Sequence, residues 1–356
     1  MNPNEQKLVY PFGDTLPEPG HALAVADGVR WLRMPLPFAL DHINLWLLRD
    51  EIDGREGWTI VDCGVGRDDV KALWEKVFET SLDGLPVLRV IVTHMHPDHV
   101  GLSGWLCERW KASLWMSMTD FMTARLWSTR SGDEAAPGGP NGTAAAEHFG
   151  RHGLVDPDAQ EQIRARATYY TGLVPSVPPR FRRLMDGHTV TIGGREWRVI
   201  VGYGHAPEHL SLYCDTLQVL ISGDMLLPRI STNVSVFDFE PESNPLPLYL
   251  NSLRAYDDLA EDTLVLPSHG KPFRNMHERI RQQHEHHAER LDEVIAACAQ
   301  PMSAADIVPV MFRRKLDLHQ MTFAMGEALA HLHALYFDGK LKRSVGEDGV
   351  IRFQVC

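Results

Sequence analysis

The run His94-Met95-His96-Pro97-Asp98-His99 places three imidazoles and a carboxylate within six residues. Imidazole nitrogens and carboxylate oxygens are the ligands that zinc and comparable borderline ions take, at about 2.0–2.2 Å. A polar loop that merely holds three histidines would have the same composition. Three further candidates argue against that bland reading. His205 lies in Gly202-Tyr203-Gly204-His205-Ala206-Pro207-Glu208-His209, Asp224 closes Val219-Leu220-Ile221-Ser222-Gly223-Asp224, and His269 ends Leu264-Val265-Leu266-Pro267-Ser268-His269. A set of this kind can activate water for attack on an electrophilic centre.

Each candidate follows an apolar run that reads as a buried strand. The runs are Val87–Val92 before His94, Trp197–Val201 before His205, Val219–Ser222 before Asp224 and Leu264–Leu266 before His269. Side chains at the carboxyl ends of adjacent strands can converge on one point, where open α/β layers place their sites. Upstream, Val29–Met34, Ile43–Leu48 and Trp58–Val61 read as strands, with turn chemistry at Asp53-Gly54 and Glu56-Gly57. Residues 67–80 read as an amphipathic helix with Val70, Leu73, Trp74, Val77 and Phe78 on one stripe. A helix is expected from Gly101 to Trp110.

The whole set resembles the metallo-β-lactamase superfamily, whose HxHxDH motif is followed by a later His, Asp and His. The likeness covers roughly residues 20–275. It implies an α/β (α+β) chain folded as a four-layer αββα sandwich. It implies that His94, His96 and His205 bind one metal, that Asp98, His99 and His269 bind a second, and that Asp224 bridges them. Asp62 matches the early strand-end aspartate, a partner that would orient a ligand histidine. Zinc β-lactamases usually carry Cys at the bridging position, flavo-diiron proteins an acid at that of His96, and persulfide dioxygenases a single metal. The pattern is therefore most similar to the glyoxalase II branch. That branch usually shows Gly-His-Thr-Pro-Gly-His, whereas this chain has Ala206 and Glu208. Glu208 is expected to add bulk and negative charge near the cleft, which bears on substrate and not on metal binding.

Composition sets bounds. The 356 residues exceed one typical domain, and the resemblance suggests a catalytic domain over 1–300 and a small domain over 301–356. A net charge of -12 disfavours nucleic acid as a partner. No run of about 18 apolar residues suggests a membrane span, and Met1–Lys7 lacks a signal-peptide pattern. The five scattered cysteines (Cys63, Cys107, Cys214, Cys298, Cys356) form no CxxC pair and suit a reduced, cytoplasmic setting. Cys63, beside Asp62, reads as a small core residue.

Residues 120–185 interrupt the strand-helix scheme. Ser131–Gly142 is too rich in Gly and Pro for regular structure, between helices expected near Thr119–Thr129 and Pro157–Leu173. In the resembled family such an insert lies over the cleft. It would act as a substrate cap, with Tyr169, Tyr170, Arg180, Phe181, Arg182 and Arg183 as contacts for an anionic acyl carrier, or else be a solvated helical excursion. His42 is expected to line the cleft or to support the strand that follows it. His284, His286 and His287 lie on a charged helix from Met276 to Gln300 and read as surface or interhelix groups.

In the tail, Ser303–Asp306 can cap a short helix reaching Phe312. A longer helix is expected from His319 to Asp338 with Phe323, Leu329, Leu332, Leu335 and Tyr336 inward. A hairpin then turns at Glu347-Asp348-Gly349. This order resembles a winged helix. The long helix carries no Lys or Arg; Arg313, Arg314, Lys315, Lys340, Lys342 and Arg343 only flank it. Packing or homodimerisation is therefore favoured over groove reading.

The expected function is a metal-dependent hydrolase acting on a small-molecule thioester, ester or lactone, with two divalent ions and a bridging hydroxide, Asp98 orienting the nucleophile. Zinc suits the ligands; iron and manganese are alternatives. The alternative activity is a metal-dependent ribonuclease or phosphodiesterase, since the same hydroxide can attack phosphorus.

Overall fold

The computed structural model describes residues 5–129 and 142–356. Of the irregular stretch expected over Ser131–Gly142, residues 131–141 lie outside them, and Gly142 opens a helix. A seven-stranded sheet contains β1 (Leu23–Ala26), β2 (Val29–Pro35), β3 (His42–Ile52), β4 (Arg55–Val61), β5 (Val87–Ile91), β6 (Ser113–Met116) and β7 (Phe181–Arg183), paired in that order. The first four strands are antiparallel; β4 to β7 run parallel. A second sheet pairs β8 (Thr189–Ile192), β9 (Arg195–Gly202), β10 (His209–Cys214), β11 (Val219–Gly223) and β12 (Leu264–Pro267), with only β11–β12 parallel. A separate hairpin joins β13 (Leu341–Val345) to β14 (Ile351–Val355).

The helices are α1 (Asp68–Thr80), α2 (Pro97–Val100), α3 (Ser103–Trp110), α4 (Met118–Ser128), α5 (Gly142–Arg151), α6 (Pro157–Arg164), α7 (Tyr169–Leu173), α8 (Pro245–Leu253), α9 (Met276–Ala297), α10 (Ala304–Met311) and α11 (Leu318–Phe337). No described helix is long and apolar enough to cross a membrane.

β3 shows why the strands read as unbroken apolar runs. Its side chains alternate between faces, and both faces are covered. Ile43, Leu45 and Leu47 join Val70, Trp74 and Val77 of α1, Leu106 of α3 and Phe121 of α4. Trp46 and Leu48 instead meet Trp197, Val199, Leu212 and Ile221 of the second sheet. The result is the expected sandwich of two sheets with helices outside.

The chain forms two compact units: residues 1–129, 170–232 and 253–280, and residues 130–169, 233–252 and 281–356. In the second, Ser303 and Asp306 form a reciprocal capping box at the start of α10, as the sequence suggests. Leu329, Leu332 and Leu335 of α11 are buried, but Phe323 is 42% exposed and does not point inward. The expected helix over 157–173 is broken into α6, a 3₁₀ turn (Ala165–Thr168) and α7. His287 is an interhelix group, its Nδ1 3.2 Å from His331 Nε2, while His331 Nδ1 donates to the Glu327 carbonyl.

Three more histidines, His148, His152 and His333, are buried in this second unit. Ring centroids of His148 and His152 lie 5.0 Å apart, and those of His152 and His333 6.5 Å. Burial, with repulsion from neighbouring histidines, pushes His148 down to about 4 and His152 to about 3. The unfolded chain therefore takes up these protons first, so their stabilisation is full above about pH 6.5 and is lost as pH falls. Acidification from pH 7 to 5 is expected to cost about 2 kcal/mol for each. A His152→Gln variant should show a shallower fall of Tm over that range; an unaltered slope would contradict this account.

Candidate metal centre

The first unit supplies every member of the cluster. Pleating and burial carry β5 to its end at Ile91, and the chain then turns through Thr93 into His94–His99, with α2 opening at Pro97. His205 follows β9, Asp224 follows β11 and His269 follows β12. Gly223 has φ +54°, and a Cβ there would meet the His209 ring at 2.3 Å, so only glycine brings Asp224 into place.

The seven residues expected from the sequence fall into two touching groups: His94, His96, His205 and Asp224, and Asp98, His99 and His269. In the first, His94 Nε2, His96 Nδ1 and His205 Nε2 lie 2.9, 3.1 and 3.2 Å from one another. Tetrahedral nitrogen donors at 2.0–2.1 Å from an ion would be about 3.3 Å apart. In the second, His269 Nε2 is 3.4 Å and His99 Nε2 3.6 Å from Asp98 Oδ2. Asp224 faces both groups: Oδ2 is 3.3 Å from His205 Nε2 and 3.6 Å from His99 Nε2, and Oδ1 is 3.4 Å from His269 Nε2.

The surroundings set the tautomers. The Asp62 carboxylate accepts from His99 Nδ1 at 2.8 Å and from the Thr93 hydroxyl and N–H. Thr93 Oγ1 in turn accepts from His94 Nδ1 at 3.0 Å. His269 Nδ1 donates to the His42 carbonyl at 2.8 Å. His94, His99 and His269 therefore all turn Nε2 toward the cluster. Asp62 holds its position with φ +64°, a strained backbone kept where the site needs it.

Charge follows burial and neighbours. Burial and surrounding histidines hold His94 well below the ordinary value and bring His96 to about 3. Burial would also lower His269 and His99, but Asp224 and Asp98 outweigh it at His269, which rises to about 10. Asp62, Asp98 and Asp224 lift His99 well above its ordinary range. Burial would raise Asp98, yet His99 and His269 bring it to about 2. Three imidazole nitrogens crowded within 3.2 Å of one another, beside the Asp224 carboxylate, form a donor set that fits a divalent cation.

His42 supports the site from outside it: its Nε2 accepts the Gly270 N–H at 2.9 Å and its carbonyl orients His269. Asn44 adds two bonds to the same loop, from Nδ2 to the carbonyls of Pro267 and Gly270. His209, not assigned a role from the sequence, accepts the Asp224 N–H on Nε2 at 3.0 Å; its signal was its place as the last histidine of the His205 motif. The Glu208 carboxylate, expected near the cleft, is engaged by α4. Its Oε2 accepts from the N–H and hydroxyl of Thr119 at the start of α4. Of the expected cap contacts, Tyr170 donates to the Met95 carbonyl at 2.6 Å, Phe181 stacks on Phe121, and the Arg182 guanidinium lies over Trp115. Cys63 is buried, and burial holds its thiol well above the usual range, as suits a core residue.

Residues 39–269 match the model of the metallo-beta-lactamase superfamily, and residues 291–356 that of a metallo-beta-lactamase-like C-terminal domain. The chain is similar to a beta-lactamase domain protein from Burkholderia ambifaria, with 59% identity over all of both chains and a TM-score of 0.93. A metallo-beta-lactamase family protein from Thermus thermophilus shares 28% identity over 94% of this chain and 100% of its own, with a TM-score of 0.75. A probable metallo-hydrolase from Bacillus subtilis is 24% identical across 85% of this chain and 91% of its own length.

Loss of the carboxylate that orients His99 should weaken metal binding. Asp62→Ala is expected to lower affinity about 10–100-fold, measured by calorimetric titration of metal-stripped protein with zinc. Wild-type affinity in a folded variant would refute the positioning role.

Proposed function

The chain belongs to the metallo-beta-lactamase superfamily, and from that premise we propose that it is a dinuclear metal-dependent hydrolase of thioesters, carboxylic esters or lactones. One observation carries the reading: the Asp224 carboxylate stands between two ligand groups, with Oδ2 near His205 and His99 and Oδ1 near His269. His94, His96 and His205 would hold one ion, Asp98, His99 and His269 the other, with Asp224 shared. The relative named as a probable metallo-hydrolase supports hydrolysis. Retention of Asp224 and His99 favours a glyoxalase II-like subgroup, with residues 1–300 catalytic and the helix-helix-hairpin tail of 301–356 a winged helix used for packing or dimerisation.

When bound, two divalent ions, zinc in the simplest case, would supply a water nucleophile of lowered pKa and an electrophile for the substrate oxygen. The chain's own groups do the positioning. Asp98 stands beside both His99 and His269 and is held ionised, so it can accept a hydrogen bond from the nucleophile and fix its direction. Asp62 and the His42 carbonyl keep two imidazoles from rotating. A thiolate leaves without prior protonation, so a thioester makes the least demand on a general acid. The net charge of -12 weighs against a polyanionic substrate.

Purified full-length protein loaded with zinc or manganese is expected to hydrolyse acyl-thioesters or lactones and to leave single-stranded RNA intact. Chelation should abolish turnover, and Asp224→Ala should lower kcat/KM at least about a hundredfold. Turnover of RNA alone, or turnover indifferent to chelation and to Asp224→Ala, would overturn the proposal.

A further inference from the structure

Glu208 stands where the resembled branch usually has glycine, and its carboxylate is committed to α4. The first turn of α4 also carries Asp120, fully buried and facing back toward the same loop. Asp120 Oδ2 accepts the N–H of Glu208 at 2.7 Å and the Ser117 hydroxyl at 3.1 Å. Its Oδ1 accepts the N–H of Met95 at 2.9 Å. Met95 lies between His94 and His96, and its carbonyl is taken by the Tyr170 hydroxyl. Glu208 lies three residues after His205.

From this geometry we infer that Asp120 and Glu208 form a reciprocal latch that holds the His205 loop against the His94–His96 loop and so sets the three-histidine face of the metal centre. The inference rests on the metal-centre reading above. Asp120 is a positioning residue: it touches neither substrate nor ion, and acts through two backbone N–H groups. The exchange is mutual. The α4 N-terminus, whose free N–H groups favour an anion, receives the Glu208 side chain, and Asp120 receives the Glu208 backbone. Both Asp120 oxygens accept from N–H donors, so an asparagine must turn its own NH₂ against one of them and leave that donor unpaired. The latch meets the His94–His99 loop at Met95, between two members of the three-histidine face; Asp98 and His99 lie beyond it in α2, where Asp62 holds His99. The loop of His269 is held independently by His42 and Asn44.

Metal-stripped full-length protein titrated with zinc provides the test. Wild type should bind two ions, and His96→Ala identifies the step that belongs to the three-histidine face. Asp120→Asn should weaken that step about 10–100-fold and leave the other essentially unchanged. Glu208→Ala should weaken the same step, whereas Glu208→Gln, which keeps an acceptor oxygen for Thr119, should restore it. In a second measurement on metal-free protein, hydrogen exchange in residues 94–99 and 205–209 should quicken together in Asp120→Asn. Equal loss of both steps in folded variants, no change in either, or independent exchange of the two stretches would overturn the latch. Wild type that binds fewer than two ions would instead overturn the dinuclear reading, and the exchange measurement would still decide the latch. Should Asp120→Asn not fold, the Glu208 pair carries the same decision.

Discussion

Imidazole nitrogens brought within 3.2 Å of one another, beside buried carboxylates, are the constraint on which the rest of the first unit depends. Such a group repels itself and loses its water, so it persists where neighbouring groups hold its rings in place. The sandwich does this by ending its strands together. Each ligand loop leaves a strand whose two faces are already buried, so the loop starts from a fixed point. Asp62, Thr93, His42, Asn44 and His209 then tie down the outward sides of the rings or the backbone beside them.

Viewed this way, several residues that look like substrate contacts in the linear sequence have another occupation. Tyr170 is committed to the Met95 carbonyl, Phe181 to Phe121, and Glu208 to the first turn of α4. Each brings a side chain from a distant segment to the back of a ligand loop or to the sheet edge beside it. The region between β6 and β9 thus supplies Tyr170 to a ligand loop and Phe181 to the sheet edge, while Glu208, just beyond β9, braces the start of α4.

The second unit solves a different problem. Its helices bury many histidines without carboxylates of comparable number around them. His331 and His287 pair with each other, and His333 donates to the Ser243 carbonyl. Burial holds His148, His152 and His331 below the ordinary range, whereas in the first unit Asp62, Asp98 and Asp224 outweigh burial and lift His99 and His269 above it. The same residue type thus shifts in opposite directions in one chain, according to how burial balances against nearby carboxylates.

Local pattern determined the strands and helices that position the site. Apolar runs marked β5, β9, β11 and β12, periodicity marked α1, and Ser303 with Asp306 marked the start of α10, because each signal lies within one turn or one pleat. The seven members of the cluster were legible for a related reason: they follow the ends of four such strands, four of them after β5 alone. Elements with mixed or short patterns were not legible. β6, β7 and β8 hold three or four residues each, and β10 opens with a histidine whose burial no periodicity announces. Only the tertiary structure decided which N–H each carboxylate would meet. The bonds from His99 to Asp62, His269 to His42 and Glu208 to Asp120 join residues 37, 227 and 88 positions apart. Hydrogen bonds across such distances depend on how sheets and loops pack, and packing leaves no trace in the order of neighbouring residues.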